Sequence, residues 1–166
     1  MDGYQGLTAM IESAWEELNG SEAGRRDLSL DVVGDILETG RLTPGDAERA
    51  VERLVAVALS DESYPVQESA LHAVFTASTH YELPYRVVEP LAFGADAFEP
   101  VLLEPVLLEY VLGVLGSTHD HALLPVVERF LQHPHPEVRR EAAEAVNEVR
   151  WSRETAQGGT AQSRPA

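Results

Sequence analysis

His133 to Val149 reads HPHPEVRREAAEAVNEV: two prolines in a tight turn, then a helix whose Val138, Ala142, Ala145, Val146 and Val149 return on one face. Proline is accommodated at the first position of a helix, so Pro136 marks the start. The small residues Ala142 and Ala145 let a neighbouring helix come close, and the branched ones fill the gaps between layers. Such a face asks for neighbours built alike, and the template returns upstream. With Val66, Val106 and Val138 in register, Ala70, Tyr110 and Ala142 coincide, then Ala73, Gly113 and Ala145, then Val74, Val114 and Val146. Leu28, Val32 and Ile36 supply a weaker fourth copy. The offsets of 40 and 32 residues bracket the period of two-helix repeats. One hairpin leaves its apolar faces wet, so stacking is what stabilises it.

The remaining helices follow from periodicity and punctuation. Leu7, Ile11, Ala14, Trp15 and Leu18 form a stripe that stops at Asn19 and Gly20, and the second helix ends at Gly40. Thr43 caps a third helix with Pro44 at its first position, running through Ala47, Ala50, Val51, Leu54, Val55 and Ala58. A fourth is expected from about Val66 to Ser78, a fifth from Pro84 to near Gly94, and a sixth from Pro105 to Gly116. A seventh spans Ala122 to Gln132, and an eighth ends near Arg150. The expected fold is all-α, an α-solenoid of about four stacked antiparallel helix pairs. It occupies residues 1–151, with the polar, Gly-containing tail 152–166 expected to be disordered.

The stretch LLPVVERFLQHPHPEVRREAAEAVNEV, Leu123 to Val149, resembles the HEAT repeat: a proline-containing first helix, a short turn, then Val-Arg and spaced alanines. AVERLVAVALSDESYPVQESALHAV, Ala50 to Val74, is similar, and the best match spans residues 43–150. The family's turn Asp and second-helix Arg, six residues apart, stand here as Asp61 with Gln67 and as His133 with Arg139, half of the pair in each copy. The resemblance implies a protein-binding scaffold whose second helices line the inner surface. A minority of such solenoids are enzymes or nucleic-acid binders.

Composition narrows the chemistry. Cysteine is absent and all 12 basic residues are arginines, which removes thiolate nucleophiles, disulfides, Schiff-base lysines and the P-loop lysine, and fits a GC-rich bacterial genome. The formal charge of −16 repels phosphate backbones, and no basic stripe offsets it, so nucleic acid is not the expected partner. Neither a signal peptide nor an apolar run of membrane-spanning length is visible, so a cytoplasmic location is expected, away from membranes. His119 with His121, and His133 with His135, flank one helix about 16 Å long, too far apart for a shared tetrahedral ion. They read as turn and cap residues. The acidic pairs Glu104 with Glu109, and Glu141 with Glu144, have no catalytic context, and no GxSxG, HExxH or glycine-rich phosphate loop occurs. No catalytic residue, metal or cofactor is expected.

The expected binding surface is the row of second helices, where each repeat presents corresponding residues: Glu68, His72 and Phe75, then Leu108, Leu112 and Leu115, then Arg140, Glu144 and Asn147. The sixth helix is apolar nearly all round, hence either buried on every side or a greasy groove for a partner. Three functions compete. One is a module holding a basic protein on an acidic face, similar to the immunity proteins that neutralise bacterial toxins. The others are an adaptor or regulatory scaffold, and a HEAT-like lyase or base-excision enzyme, which the charge and the missing catalytic set disfavour.

Overall fold

A computed structural model describes residues 2–19, 22–98 and 105–158, with side chains described from 6 to 151 within those spans. All regular structure there is helical: α1 (Asp2–Leu18), α2 (Ala23–Glu38), α3 (Pro44–Ser60), α4 (Tyr64–His80), α5 (Tyr85–Gly94), α6 (Val106–Ser117), α7 (Leu124–Glu128) and α8 (Pro136–Gly158). Single 3-10 turns follow α5 and bracket α7.

The caps explain the boundaries. Thr43 Oγ1 accepts the Asp46 N–H at 3.2 Å and Pro44 opens α3, as the Thr-Pro pair predicts. At the end of α2, Thr39 donates to the Ile36 carbonyl and Gly40 turns the chain with φ 62°. A positive φ of this kind is easiest for glycine.

Packing is in two rows. Helices α2, α4, α6 and α8 lie side by side, and α1, α3, α5 and α7 each pack against the following member of that row. Four helix pairs thus share one apolar core running from Ile11 to Val146. The chain is an all-α solenoid. Charged ties join successive pairs: Arg26 on α2 grips Asp61, at the end of α3, through Nε (3.0 Å) and Nη2 (3.1 Å), Arg86 on α5 reaches Glu48 and Glu52 on α3, and Arg129 reaches Asp96 at 2.9 Å. The turn aspartate therefore bonds to the preceding second helix. Gln67 instead donates to the Ala58 carbonyl, and Arg139 to the His133 and Pro134 carbonyls.

Several expectations need correction. Of the stripe Leu28, Val32, Val33, Ile36 and Leu37 expected for this helix, Val33, Ile36 and Leu37 are buried, but Leu28 and Val32 do not face the core: they are 65% and 38% exposed, and Leu30 is buried with the others. The 3.6-residue period admits either neighbouring stripe, and packing against α4 selects the second. The seventh helix is not continuous. Leu123 N–H bonds to the Asp120 carbonyl three residues back, and Pro125 supplies no donor, so the segment tightens into 3-10 turns around a short α7. The eighth helix passes Arg150 and reaches Gly158, because 152–157 holds good helix formers and no breaker. That part of the expected tail is helical, and 159–166 lie outside the described residues.

Candidate partner-binding face

Close approach of the second helices creates the face. Ala73 sits 3.4 Å from where a β-carbon on Gly34 would lie, which brings α2 and α4 together. At Gly116 a β-carbon would meet Ala145 Cα at 2.8 Å, so α6 and α8 touch through bare backbone. Gly113 opens a third gap, filled by the Phe75 ring from α4 and the Glu141 carboxylate from α8.

The exposed side of this row carries an aromatic group at its centre. Tyr110 of α6 stands 5.6 Å from both the His72 and the Phe75 rings of α4, tilted at 45° to each. Carboxylates stand along the same row: Glu68 on α4 and Glu109 on α6 beside Tyr110, Asp31 on α2 beside His72 with Asp27 and Asp35 next to it, and Glu141 and Glu144 on α8 near Glu109. Asp27 is held by Ser69, and Glu144 stands 3.6 Å from Arg140. Asp31, Asp35, Glu68, Glu109 and Glu141 take part in no ion pair among the described residues.

This crowding shows in the acidities. Burial, then the Asp27 charge, pushes Asp31 above the usual aspartate value. Burial and the Glu144 carboxylate push Glu141 up likewise. The Tyr110 hydroxyl is raised by burial and by Glu68 and Glu109. Each shift marks negative charge gathered where water is partly excluded.

Of the nine residues expected here, six are on the surface. Glu68 and Phe75 are half-buried, and His72, Arg140, Glu144 and Asn147 are exposed. Leu108, Leu112 and Leu115 are corrected: all three are fully buried, so α6 offers no greasy groove through them. The cause is a register one residue later in α6, where Leu107, Val111, Val114 and Leu115 occupy the places assigned to Val106, Tyr110, Gly113 and Val114. That shift turns Tyr110 and Gly113 outward. Tyr110, Glu109 and Glu141 were missed as face residues, although polar side chains interrupting an apolar helix were a readable signal.

The histidines act locally. His133 Nδ1 accepts the His135 N–H at 3.1 Å, His135 Nδ1 accepts the Glu137 N–H at 3.3 Å, and Asp120 caps the next turn through the Ala122 N–H at 2.8 Å.

Comparison with known proteins places the chain among helical repeats. The family model described as HEAT repeat matches residues 123–149. An engineered protein solved by the Northeast Structural Genomics Consortium shares the fold with a TM-score of 0.61 at 14% identity, over 85% of this chain. This chain spans 62% of that protein's length. A designed armadillo repeat protein aligns over 89% of this chain and 87% of its own, at 11% identity and a TM-score of 0.39. No curated protein matches the sequence as a relative. No described helix is long and apolar enough to cross a membrane.

Proposed function

The chain being an α-helical repeat protein, we propose that it is a non-catalytic binding module whose row of second helices holds a basic protein partner. Repeat scaffolds of this type generally bind proteins, and the face every repeat contributes to carries five carboxylates outside any ion pair among the described residues. The observation that carries the reading is the central trio His72, Phe75 and Tyr110, with Asp31, Glu68 and Glu109 beside it and outside any ion pair among the described residues. Aromatic residues anchor interfaces, and a charged rim steers the encounter. Arginine suits both: it pairs with carboxylates and stacks on aromatic rings.

Within that reading, an immunity protein that covers the basic active site of a bacterial toxin is the specific role we favour over a general adaptor. The net charge of −16 suits such a role. A neighbouring toxin-like reading frame supports it, and an operon with an enzyme complex supports the adaptor. The binding itself is tested by hydrogen exchange with and without the captured partner. Protection centred on α4, α6 and α8 around Tyr110 is expected. Protection confined to the α1, α3 and α5 row overturns the assignment.

A further inference from the structure

A cavity of about 540 Å³ opens at one edge of the second-helix row, where α4 and α6 end and the flank of α8 passes. Its size lies within the range of roughly 300–1,000 Å³ typical of small-ligand sites.

The wall is rich in acceptors. Besides Tyr81, whose hydroxyl oxygen accepts the Leu42 N–H, four hydroxyl residues line it, and each has spent its hydrogen on its own helix: Ser78 donates to Phe75 (2.7 Å), Thr79 to Thr76 (2.8 Å), Ser117 to Val114 (2.7 Å) and Thr118 to Leu115 (2.9 Å). Their oxygens are left to accept, although that of Thr118 already takes the Asp120 N–H at 3.3 Å. The C-terminal ends of α4 and α6, the negative ends of both helix dipoles, lie at this same edge, where the Ala77, Leu115 and Gly116 carbonyls already accept the Tyr81, Thr118 and His119 N–H groups. Glu82 and Glu148 complete the wall, and neither takes part in an ion pair among the described residues. No arginine lines the cavity.

One wall residue is strained. His119 has φ 54°, and its cap matches the one at Gly40: a threonine donates three residues back, and the next N–H closes the turn. Glycine takes this conformation freely at the end of α2, whereas a β-carbon is disfavoured there. At the end of α6 the chain keeps a histidine, whose Nδ1 lies 3.3 Å from the Glu148 carbonyl and ties that helix end to α8. Strain held at a cavity wall is the kind of exception that accompanies a binding site.

We propose that this cavity binds an organic cation with several N–H donors, a guanidinium or primary ammonium group. Glu82 and Glu148 balance its charge, the α4 and α6 hydroxyl and carbonyl oxygens accept its hydrogens, and His119 holds the wall in place. A bare divalent ion is a poorer fit, since no three metal-ligating side chains converge among the described residues. The site is separate from the aromatic face, and its test needs no protein partner.

The full-length protein is titrated with L-argininamide while the imidazole signals of His80 and His119 are followed by NMR. A saturable shift is expected, weakened about fivefold or more in E82Q/E148Q. His119→Gly should melt at or above the wild-type temperature yet bind argininamide more weakly, separating binding from folding. An arginine-containing neutral-ended peptide that binds more tightly than argininamide identifies a protein side chain as the source of the cation, and the reverse identifies a free small molecule. No saturation by about 10 mM argininamide, unchanged affinity in E82Q/E148Q, or an equal response to inorganic phosphate overturns the proposal.

Discussion

At the level of single residues, α6 decides between two kinds of surface. Leu112 is wholly buried between its neighbours, so Leu112→Asp should unfold the protein, and Leu112→Ala should cost about 2–5 kcal/mol in denaturant melts. Native-like melting of Leu112→Asp would place it on a surface after all. The sequence announced an apolar helix here but left open which way each leucine pointed. A helix apolar nearly all round has no polar stripe to fix its rotation, and a one-residue offset in register moves Tyr110 from core to face. Glu141 carries the opposite prediction. Burial and Glu144 raise its pKa, so its charge opposes folding above that value and the penalty is relieved as pH falls. Glu141→Gln should therefore raise the melting temperature at neutral pH while weakening association with a basic partner. A lower melting temperature for this variant would contradict the crowded-charge reading.

Between elements, glycine spacing sets how closely the second helices pack. A β-carbon on Gly34 would rest at ordinary contact distance from Ala73, so Gly34→Ala should stabilise by about 0.5–1 kcal/mol through helix propensity. On Gly116 it would collide with the Ala145 backbone, and Gly116→Ala should cost about 1–3 kcal/mol as α6 and α8 are forced apart. Equal melting curves for the two variants would refute this spacing. The capped helices were the legible part: Thr43-Pro44 and the apolar stripe of α3 stand as read. What escaped was decided by partners distant in sequence. Leu28 and Val32 looked like core by period alone, and only the position of α4 turns them outward. The Arg26–Asp61 tie spans 35 residues, a separation that no local pattern reports.

For the whole molecule, charge governs both stability and recognition. Burial pushes Asp61 up, but the Ser63 N–H and Arg26 together hold it below its usual 3.8, so its stabilisation is complete above that value and is lost as pH falls through the folded one. Asp31 and Glu141 act in reverse, their folded values lying above the usual 3.8 and 4.5, so acidification from neutral relieves repulsion first. Thermal melts from pH 7 downward should show stability rising before it falls, with the decline setting in below about 4 as Asp61 protonates. A monotonic fall from neutral pH would contradict both assignments. Recognition draws on the same field. The most direct measurement compares the proteins captured from native extract by the wild type, by a face variant with Asp31→Asn, Glu109→Gln and Glu141→Gln, and by a control with Glu12→Gln, Glu16→Gln and Glu62→Gln. All three carboxylates of the control are exposed and lie outside α2, α4, α6 and α8. The account predicts a basic partner held by the wild type and the control and lost from the face variant. A partner retained equally by the face variant would contradict it.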